Sequence, residues 1–294
     1  MTTTQDFTTQ DATNLGADKI ARSSTAFALY NNGIWAGDKG LATVDQTNTY
    51  NSGSGTWNKP AGFDDRDTVL IEMWGGGGSG GASAPFATYA ASGGGGGGAY
   101  LAYAIRYVDC PATIAYSVGA GGAAKQVFSA TSVNGDNGGD STVTISGVTF
   151  TAGGGGGGVA SAYAAPLTVA GGSGAGQTVK NCAFSLVPWG GGAGGAVTTG
   201  TTLSNGSNSV HGAGGGGAAS INANLAYNST GGTSFHGGAG GNAVYNDNGV
   251  NGSAPGGGGG GAARTTTPSN SGAGGAGRIV ISVLRGWHPT QLSR

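Results

Sequence analysis

The sequence has few charged residues and no long hydrophobic run, and each shortage excludes a class of protein. It holds 12 basic and 13 acidic residues among 294, for a formal net charge of −1, so neither nucleic acid nor an anionic membrane is favoured as a partner. No stretch of about 18 apolar residues occurs, so we expect no membrane insertion. The first residues, MTTTQDFTTQDATNLGADK, are polar, and we expect no signal peptide.

Residues that could carry out chemistry are also scarce. The chain has two cysteines, Cys110 and Cys182, which we expect to be free buried thiols rather than a disulfide. The only glutamate is Glu72, and the three histidines have no visible carboxylate partner for acid–base catalysis. We therefore expect no enzyme activity, no cofactor and no metal centre.

Two short motifs imitate ligand-binding sites. SVGAGGAAKQ, residues 117–126, resembles a dinucleotide fingerprint, but the residues after it lack the helical pattern that such a site needs. NGDNGGD, residues 134–140, offers Asp136 and Asp140 to calcium. Two carboxylates are a thin ligand set, and a turn held by Asn and Asp side chains is the simpler interpretation.

Glycine is abundant where charge is absent. The chain has 67 glycines, about three times the usual share. Disordered chains are poor in aromatic residues, whereas this chain has 5 Trp, 10 Tyr and 8 Phe, so we expect an ordered structure. The glycines form runs at roughly 75–81, 93–98, 119–122, 138–139, 153–158, 171–176, 190–195, 212–217, 237–241, 256–261 and 272–277.

Runs of consecutive glycine predict an unusual secondary structure. They are unfavourable in both α-helix and β-strand, and the remaining ordered state is a left-handed threefold helix of the polyproline II type. Its N–H and C=O groups point outward, so neighbouring runs can bond to one another and pair the buried backbone. We predict a sandwich of such polyglycine II helices, with a scaffold that includes Gly93, Gly98, Gly153, Gly158, Gly256 and Gly261.

Ordinary β-strands are predicted at the margins of the glycine runs and between them. TVLIEMW, residues 68–74, and GRIVISVL, residues 277–284, alternate apolar side chains and are expected to be adjacent strands. Residues 99–108 and 112–118 are expected to form one hairpin, and residues 141–150 another. The predicted fold class is mainly irregular and β: a polyglycine II sandwich attached to a small antiparallel sheet, with an extended N-terminal attachment segment.

The pattern divides the chain into three parts. Residues 1–50 are predicted to be an N-terminal attachment or docking segment, because they are too short and too polar to build a core of their own. Residues 51–284 form the glycine-rich domain, and residues 285–294 a C-terminal tail.

Four phrases of the second part resemble the glycine-rich domain of phage tail proteins: GSGTWNKPAGFDDRDTVLIEMWGGGGSGG, CPATIAYSVGAGGAA, NGDNGGDSTV and GAGGAGRIVISVL. The array is also similar to the tip adhesin of T-even-type phage long tail fibres, a polyglycine II sandwich that presents variable loops to host receptors. The resemblance covers about residues 55–284. It implies a virion protein of the phage tail or fibre, made in the host cytoplasm, that is a trimer or a monomer on a trimeric fibre.

The resemblance also implies two partners. Other virion proteins would bind the N-terminal segment, and a host cell-surface receptor, either an outer-membrane protein or a glycan, would bind the segments between runs. Those segments carry aromatic residues, among them Phe128. We expect about half of these aromatic residues to cap the ends of the runs. The predicted receptor-binding residues are Phe184, Trp189, Tyr227, Asn228, Phe235 and Arg264.

The end of the sandwich at which each segment lies depends on how the runs are counted. A count backward from the last strand places residues 177–189, 218–236 and 262–271 at the end far from the first strand, and we favour this grouping. A forward count instead places residues 159–170, 196–211 and 242–255 there.

Two other functions remain open. The first is a purely structural virion component: a fibre segment, a decoration protein or a capping protein. The second is a glycine-rich protein of a cell wall or cell surface, against which the polar N-terminus counts.

Overall fold

The computed structural model describes residues 43–84, 89–129, 131–162, 168–175, 177–179, 186–198, 201–222, 225–245, 247–264 and 268–285. Most of the attachment segment, the C-terminal tail after residue 285, Phe184 and Cys182 lie outside these ranges. Within them the chain forms a single 3₁₀ turn, Tyr107–Asp109, no α-helix, and β-strands separated by extended glycine-rich runs.

The strands, in chain order, are β1 Thr43–Tyr50, β2 Ser54–Asn58, β3 Thr68–Trp74, β4 Tyr89–Ser92, β5 Tyr100–Arg106, β6 Thr113–Ser117, β7 Gln126–Val127, β8 Ser141–Ile145, β9 Val148–Ala152, β10 Ala160–Ala162, β11 Gln177–Val179, β12 Leu186–Trp189, β13 Ala219–Asn222, β14 Leu225–Asn228, β15 Val244–Tyr245, β16 Ala262–Ala263, β17 Ser269–Asn270 and β18 Arg278–Arg285.

The longer strands build a β-sandwich. One sheet has the order β1-β18-β3-β5-β12 and the other β11-β9-β8-β6-β2. Alternate residues of β3 and β18, such as Ile71 and Ile281, pack against Ile114 and Phe150 of the second sheet. This is the largest apolar core among the described residues, and it forms because alternate residues of the facing strands are apolar and point into the space between the sheets.

The predicted pairing of the two marginal strands is confirmed. β18 is antiparallel to β3, with Ile281 opposite Ile71 and Arg278 opposite Trp74. The predicted hairpin within residues 141–150 is also confirmed, since β8 pairs with β9 and Ser146 and Gly147 form its turn with positive φ. Strand β1 was not predicted. It pairs along the other edge of β18.

The predicted hairpin between residues 99–108 and 112–118 is wrong. β5 lies in the first sheet between β3 and β12, whereas β6 lies in the second sheet between β2 and β8. Both edges of β5 are therefore occupied. The 3₁₀ turn and Pro111 after it carry the chain across to the other sheet instead of reversing it within one.

The glycine-rich runs are polyglycine II helices, here called rods, as the contacts of residues 93–98 demonstrate. A Cβ on Gly93 or on Gly96 would meet residues 170–173, and the other residues follow the same repeat of three. Hydrogen bonds repeat likewise: the N–H of Gly93 bonds to Val159 and that of Gly96 to Gly156. A period of three with no bond inside the run is the polyglycine II signature.

The described residues form fourteen rods: 75–81, 93–98, 119–125, 134–139, 153–158, 170–175, 190–195, 204–209, 212–217, 229–233, 238–243, 249–253, 256–261 and 271–277. The rod 93–98 donates backbone hydrogen bonds to three neighbours and accepts them from three others. Such sixfold surrounding is shared by 75–81, 212–217 and 256–261. In these four rods every residue is buried, and the other ten form a closed ring around them.

The interior of the bundle is therefore backbone. Every residue of the four inner rods is glycine except Ser79 and Ala213. A side chain at any other position would overlap backbone atoms of a neighbouring rod. A Cβ on Gly95, for example, would lie 2.1 Å from the carbonyl oxygen of Gly78. The expected scaffold glycines Gly93, Gly98, Gly153, Gly158, Gly256 and Gly261 all belong to rods.

Three rods and most of a fourth have too little glycine to be recognised from the sequence. Residues 204–209, 229–233 and 249–253 lie within segments predicted to connect runs, and 134–139 is a full rod rather than a turn. These rods lie in the outer ring, where only part of each rod is covered and several residues are exposed to solvent. Ser, Thr, Asn and Val are tolerated at those positions.

Candidate functional site

Successive rods run in opposite directions, and this fixes which connections share an end. Gly78 donates to Gly96 and Gly81 to Gly93, so the first two rods are antiparallel, and the same register analysis gives strict alternation along the chain. We call the end where β3 passes into Gly75 proximal and the other end distal. The rods that finish at the distal end do so at Gly81, Lys125, Gly158, Gly195, Gly217, Ala243 and Gly261.

The two ends differ in architecture. The β-sandwich continues from the proximal rod ends, and the remaining proximal connections are tight turns at 210–211, 234–237 and 254–255. The distal end carries three small sheets, with orders β10-β4-β13-β14, β15-β16 and β17-β7. Small apolar residues such as Ala90, Ala219 and Ile221 form a core beneath them. The distal end is therefore a structured face.

The structure separates the predicted receptor-binding residues. Tyr227, Asn228 and Arg264 lie at the distal end, whereas Phe235 lies in a proximal turn and Trp189 pairs with Tyr100 in the sandwich. Phe184 lies outside the described residues. Each of the two counts of runs was right for one segment: the described residues of 262–271 and of 159–170 lie at the distal end. Both counts were otherwise wrong, because 196–211, 218–236 and 242–255 each contain a rod of their own, and the described residues of 177–189 lie on the proximal side.

Tyr227 and Asn228 belong to β14, the outer strand of the largest distal sheet. Tyr227 is opposite Ser220 and is partly buried, while Asn228 is opposite Ala219 and is exposed. Asn228 can therefore contact a partner directly. Tyr227 lies on the same side of the sheet as buried Ala91. A partly buried ring at the end of the rods is the capping role that we predicted for about half of the aromatic residues.

Arg264 belongs to a polar cluster that connects three distal segments. Its Nη1 donates to Oδ1 of Asn248 at 3.1 Å, and Nδ2 of Asn270 donates to the same oxygen at 2.9 Å. Nε of Arg264 and Oδ1 of Asn270 are shielded from solvent and have no hydrogen-bond partner in the described part of the chain. Asn270 was not among the predicted site residues, since it stands in a polar segment without an aromatic or charged neighbour.

A stack of rings leads from the sandwich to Phe235. Tyr100 stacks on His211 with centroids 5.5 Å apart, and His211 stacks on His236 at 4.6 Å and 8°. Phe235 meets His236 edge to face and is 81% exposed. Burial and then the neighbouring His236 lower the pKa of His211, which favours the neutral form of the His211 ring in the stack.

Asparagine and aspartate side chains complete the outer rods. Oδ1 of Asn134, Asn137 and Asp140 accepts from the N–H of Ala160, Gly157 and Gly154 at 2.8–2.9 Å. The spacing of three in NGDNGGD thus matches the rod period. Each side chain supplies the acceptor that a further rod would otherwise provide. The expected Asn and Asp bonds exist, but they lie along a rod and do not close a turn.

The two motifs that imitate ligand sites have structural roles. Residues 119–125 form a rod that is followed by β7, not by the helix of a dinucleotide site. Asp136 forms an ion pair with Lys125 at 2.6 Å. No group of three or more His, Cys, Asp or Glu residues suited to a metal occurs in the described ranges. Among the same residues, no helix has the length and hydropathy to cross a membrane.

Comparisons with known proteins agree with this architecture. A family model described as a glycine-rich domain matches residues 46–284, a range that begins inside β1 and ends inside β18. A search of curated proteins finds no significant match.

Proposed function

The chain belongs to the glycine-rich domain family, and we propose that it is a phage tail-fibre or tail-tip protein that binds a host cell-surface receptor through its distal face. The observation that carries this proposal is the separation of the two ends. β1, which forms the end of the attachment segment, lies in the proximal sandwich, while seven of the thirteen connections between the described rods lie at the distal end.

The scaffold suits a recognition face. The rods hold one another by backbone hydrogen bonds on up to six sides, so exposed residues at the distal end can vary without disturbing the rods. Binding residues are commonly found on loops that a rigid framework positions. Asn228 and Arg264 are the residues of our predicted set that lie at this face with polar groups able to contact a receptor.

The N-terminal segment would then attach the protein to other virion proteins at the proximal side. We propose a virion location without enzymatic activity, with the host receptor and neighbouring virion proteins as partners. The competing proposal is a purely structural virion component. The hydrogen-bonded bundle of rods favours it, because such a bundle would be equally useful in a fibre segment or a capping protein.

Binding of the purified protein to bacteria distinguishes the two proposals. Fluorescently labelled full-length protein is incubated with a panel of Gram-negative strains, and cell-bound fluorescence is measured by flow cytometry. We expect saturable binding to a subset of strains, which the double substitution of Asn228 and Arg264 by alanine reduces at least about tenfold.

Phe235→Ala is the matched control, because it removes an exposed aromatic ring at the proximal end. It should bind as the unmodified protein does. Absence of binding to every strain, or equal losses in the distal and proximal variants, would favour the structural role.

A further inference from the structure

The small sheet formed by β7 and β17 presents a row of polar groups and one aromatic ring on its outer side. Gln126 is opposite Asn270, and Val127 is opposite Ser269. Val127 and Ser269 are 3% and 0% exposed, so their side of the sheet faces inward. Because side chains alternate along a strand, Gln126 and Asn270 face outward, and Phe128 directly after β7 is also exposed.

Phe128 is a large apolar residue that the fold leaves exposed, as is common for residues that bind a ligand. Its side chain is 66% exposed, although burying a phenylalanine normally stabilises a fold by about 1.5–3 kcal/mol. It lies one residue after β7 at the distal end. An aromatic ring with one accessible face can stack on the C–H groups of a flat ligand.

The polar cluster adjoins this small sheet through Asn270, which is opposite Gln126. Oδ1 of Asn248 accepts from both Arg264 and Asn270, so it holds these two side chains on either side of itself. Among the described residues, Nε of Arg264 and Oδ1 of Asn270 have no hydrogen-bond partner, but both atoms are shielded from solvent, so a ligand meets the cluster through its other, partly exposed atoms. A hydroxyl group both donates and accepts, so it can bond to the exposed amide of Gln126 and to the accessible parts of the Arg264 and Asn270 side chains.

We propose that Phe128, Gln126, Asn270, Asn248 and Arg264 form a saccharide-binding site on the distal face. The sugar ring stacks on Phe128, and its hydroxyl groups bond to the amides of Gln126 and Asn270 and to the guanidinium of Arg264. This inference rests on the proposed receptor-binding function and assigns a glycan as the receptor.

The composition of the site favours a glycan over a protein receptor. Protein interfaces have a core of several large apolar residues surrounded by polar ones, whereas this site has one aromatic ring among neutral amides and a single guanidinium. Sugars present many hydroxyl groups and a flat C–H face, and both features have a counterpart here.

Direct binding to sugars tests the proposal. The full-length protein is titrated with methyl glycosides of glucose and galactose and with N-acetylglucosamine, and binding is followed by saturation-transfer NMR. It is also applied to an array of bacterial surface oligosaccharides. We expect saturable binding to at least one sugar, a loss of about tenfold or more in affinity for Phe128→Ala, and retention in Phe128→Tyr.

Two further variants separate the site from general effects. Arg264→Lys keeps the charge but removes the planar donor group, and it should weaken binding. Phe235→Ala should bind as well as the unmodified protein, and equal melting temperatures exclude misfolding. No binding to any sugar or array glycan, or unchanged binding by Phe128→Ala, would overturn the proposal.

Treatment of the target cells separates this inference from the proposed function. Periodate oxidises surface glycans, and protease removes surface proteins. If cells bind the protein and periodate abolishes binding, the saccharide site is supported. If protease abolishes binding and periodate does not, the saccharide site is wrong but receptor binding stands. If untreated cells never bind, receptor binding itself is wrong.

Discussion

Gly95 and Gly78 lie in adjacent inner rods so close together that a Cβ on Gly95 would be 2.1 Å from the carbonyl oxygen of Gly78. Both are backbone positions, so no side-chain rotation can relieve the overlap. The contact shows why the inner rods consist almost entirely of glycine: the same proximity that excludes side chains brings donor and acceptor groups within bonding distance.

Substitution of a single inner glycine should therefore be severe. Gly95→Ala is expected to lower the free energy of unfolding by at least about 3 kcal/mol, or to prevent folding, because the rods must separate. Urea unfolding followed by tyrosine and tryptophan fluorescence measures the change. Gly190→Ala is the matched control, since its Cβ would meet a single atom at 3.3 Å. A mild effect of Gly95→Ala would contradict the proposed close packing.

The side chain of Asn137 should stabilise the outer rod that contains Gly157. Its Oδ1 accepts from the N–H of Gly157 at 2.8 Å. Asn137→Leu removes the acceptor and should cost about 1 kcal/mol, whereas Asn137→Asp keeps an acceptor in place and should cost less. Thermal melting of the three proteins in parallel provides the measurement, and identical losses in both variants would show that the acceptor is not what matters.

The stacked histidines should make stability depend on pH. The folded state lowers the pKa of His211, so it binds fewer protons at this site than the unfolded chain does. Above the unfolded pKa of about 6.5, protonation of His211 does not reduce the free energy of unfolding. As the pH falls below that value, the unfolded chain binds the proton more readily than the folded protein, and stability is lost. The melting temperature should therefore decrease between pH 7.5 and 5.5.

The variant His236→Gln provides the comparison for this prediction. It removes the second, electrostatic cause of the shift and leaves burial, so the decrease should become smaller than in the unmodified protein. A decrease of the same size in both proteins would assign the pH dependence to other groups.

Cys110 should be unreactive in the folded protein. It is 4% exposed and free, as predicted, and burial raises its pKa to about 11. At pH 8 the thiolate fraction is therefore on the order of 100-fold below that of an ordinary cysteine. In a Cys182→Ser background, labelling by a thiol reagent should be slow until urea unfolds the chain. Rapid labelling of the native protein would mean that the sandwich opens at this position.

Local patterns in the sequence determined the strands and the polyglycine II conformation of the glycine runs. The alternation in residues 68–74 predicts β3, and consecutive glycines predict polyglycine II helices, because both conclusions depend on the conformational preferences of short segments. The attachment of strands to the glycine array followed from the same patterns. β1 was missed because Thr43–Tyr50 alternates weakly and lies at the edge of its sheet, with most of its residues exposed or partly exposed.

The tertiary structure alone decided which segments share an end of the bundle. The direction of every rod depends on the number of rods before it, and residues 204–209, 229–233 and 249–253 become rods only because neighbouring backbones supply their hydrogen bonds. Composition cannot reveal such rods, since their outward positions accept many residue types. The alternating directions of the rods place Tyr227 and Phe235 at opposite ends of the bundle. They also bring Arg264, Asn248 and Asn270 together from three distant segments.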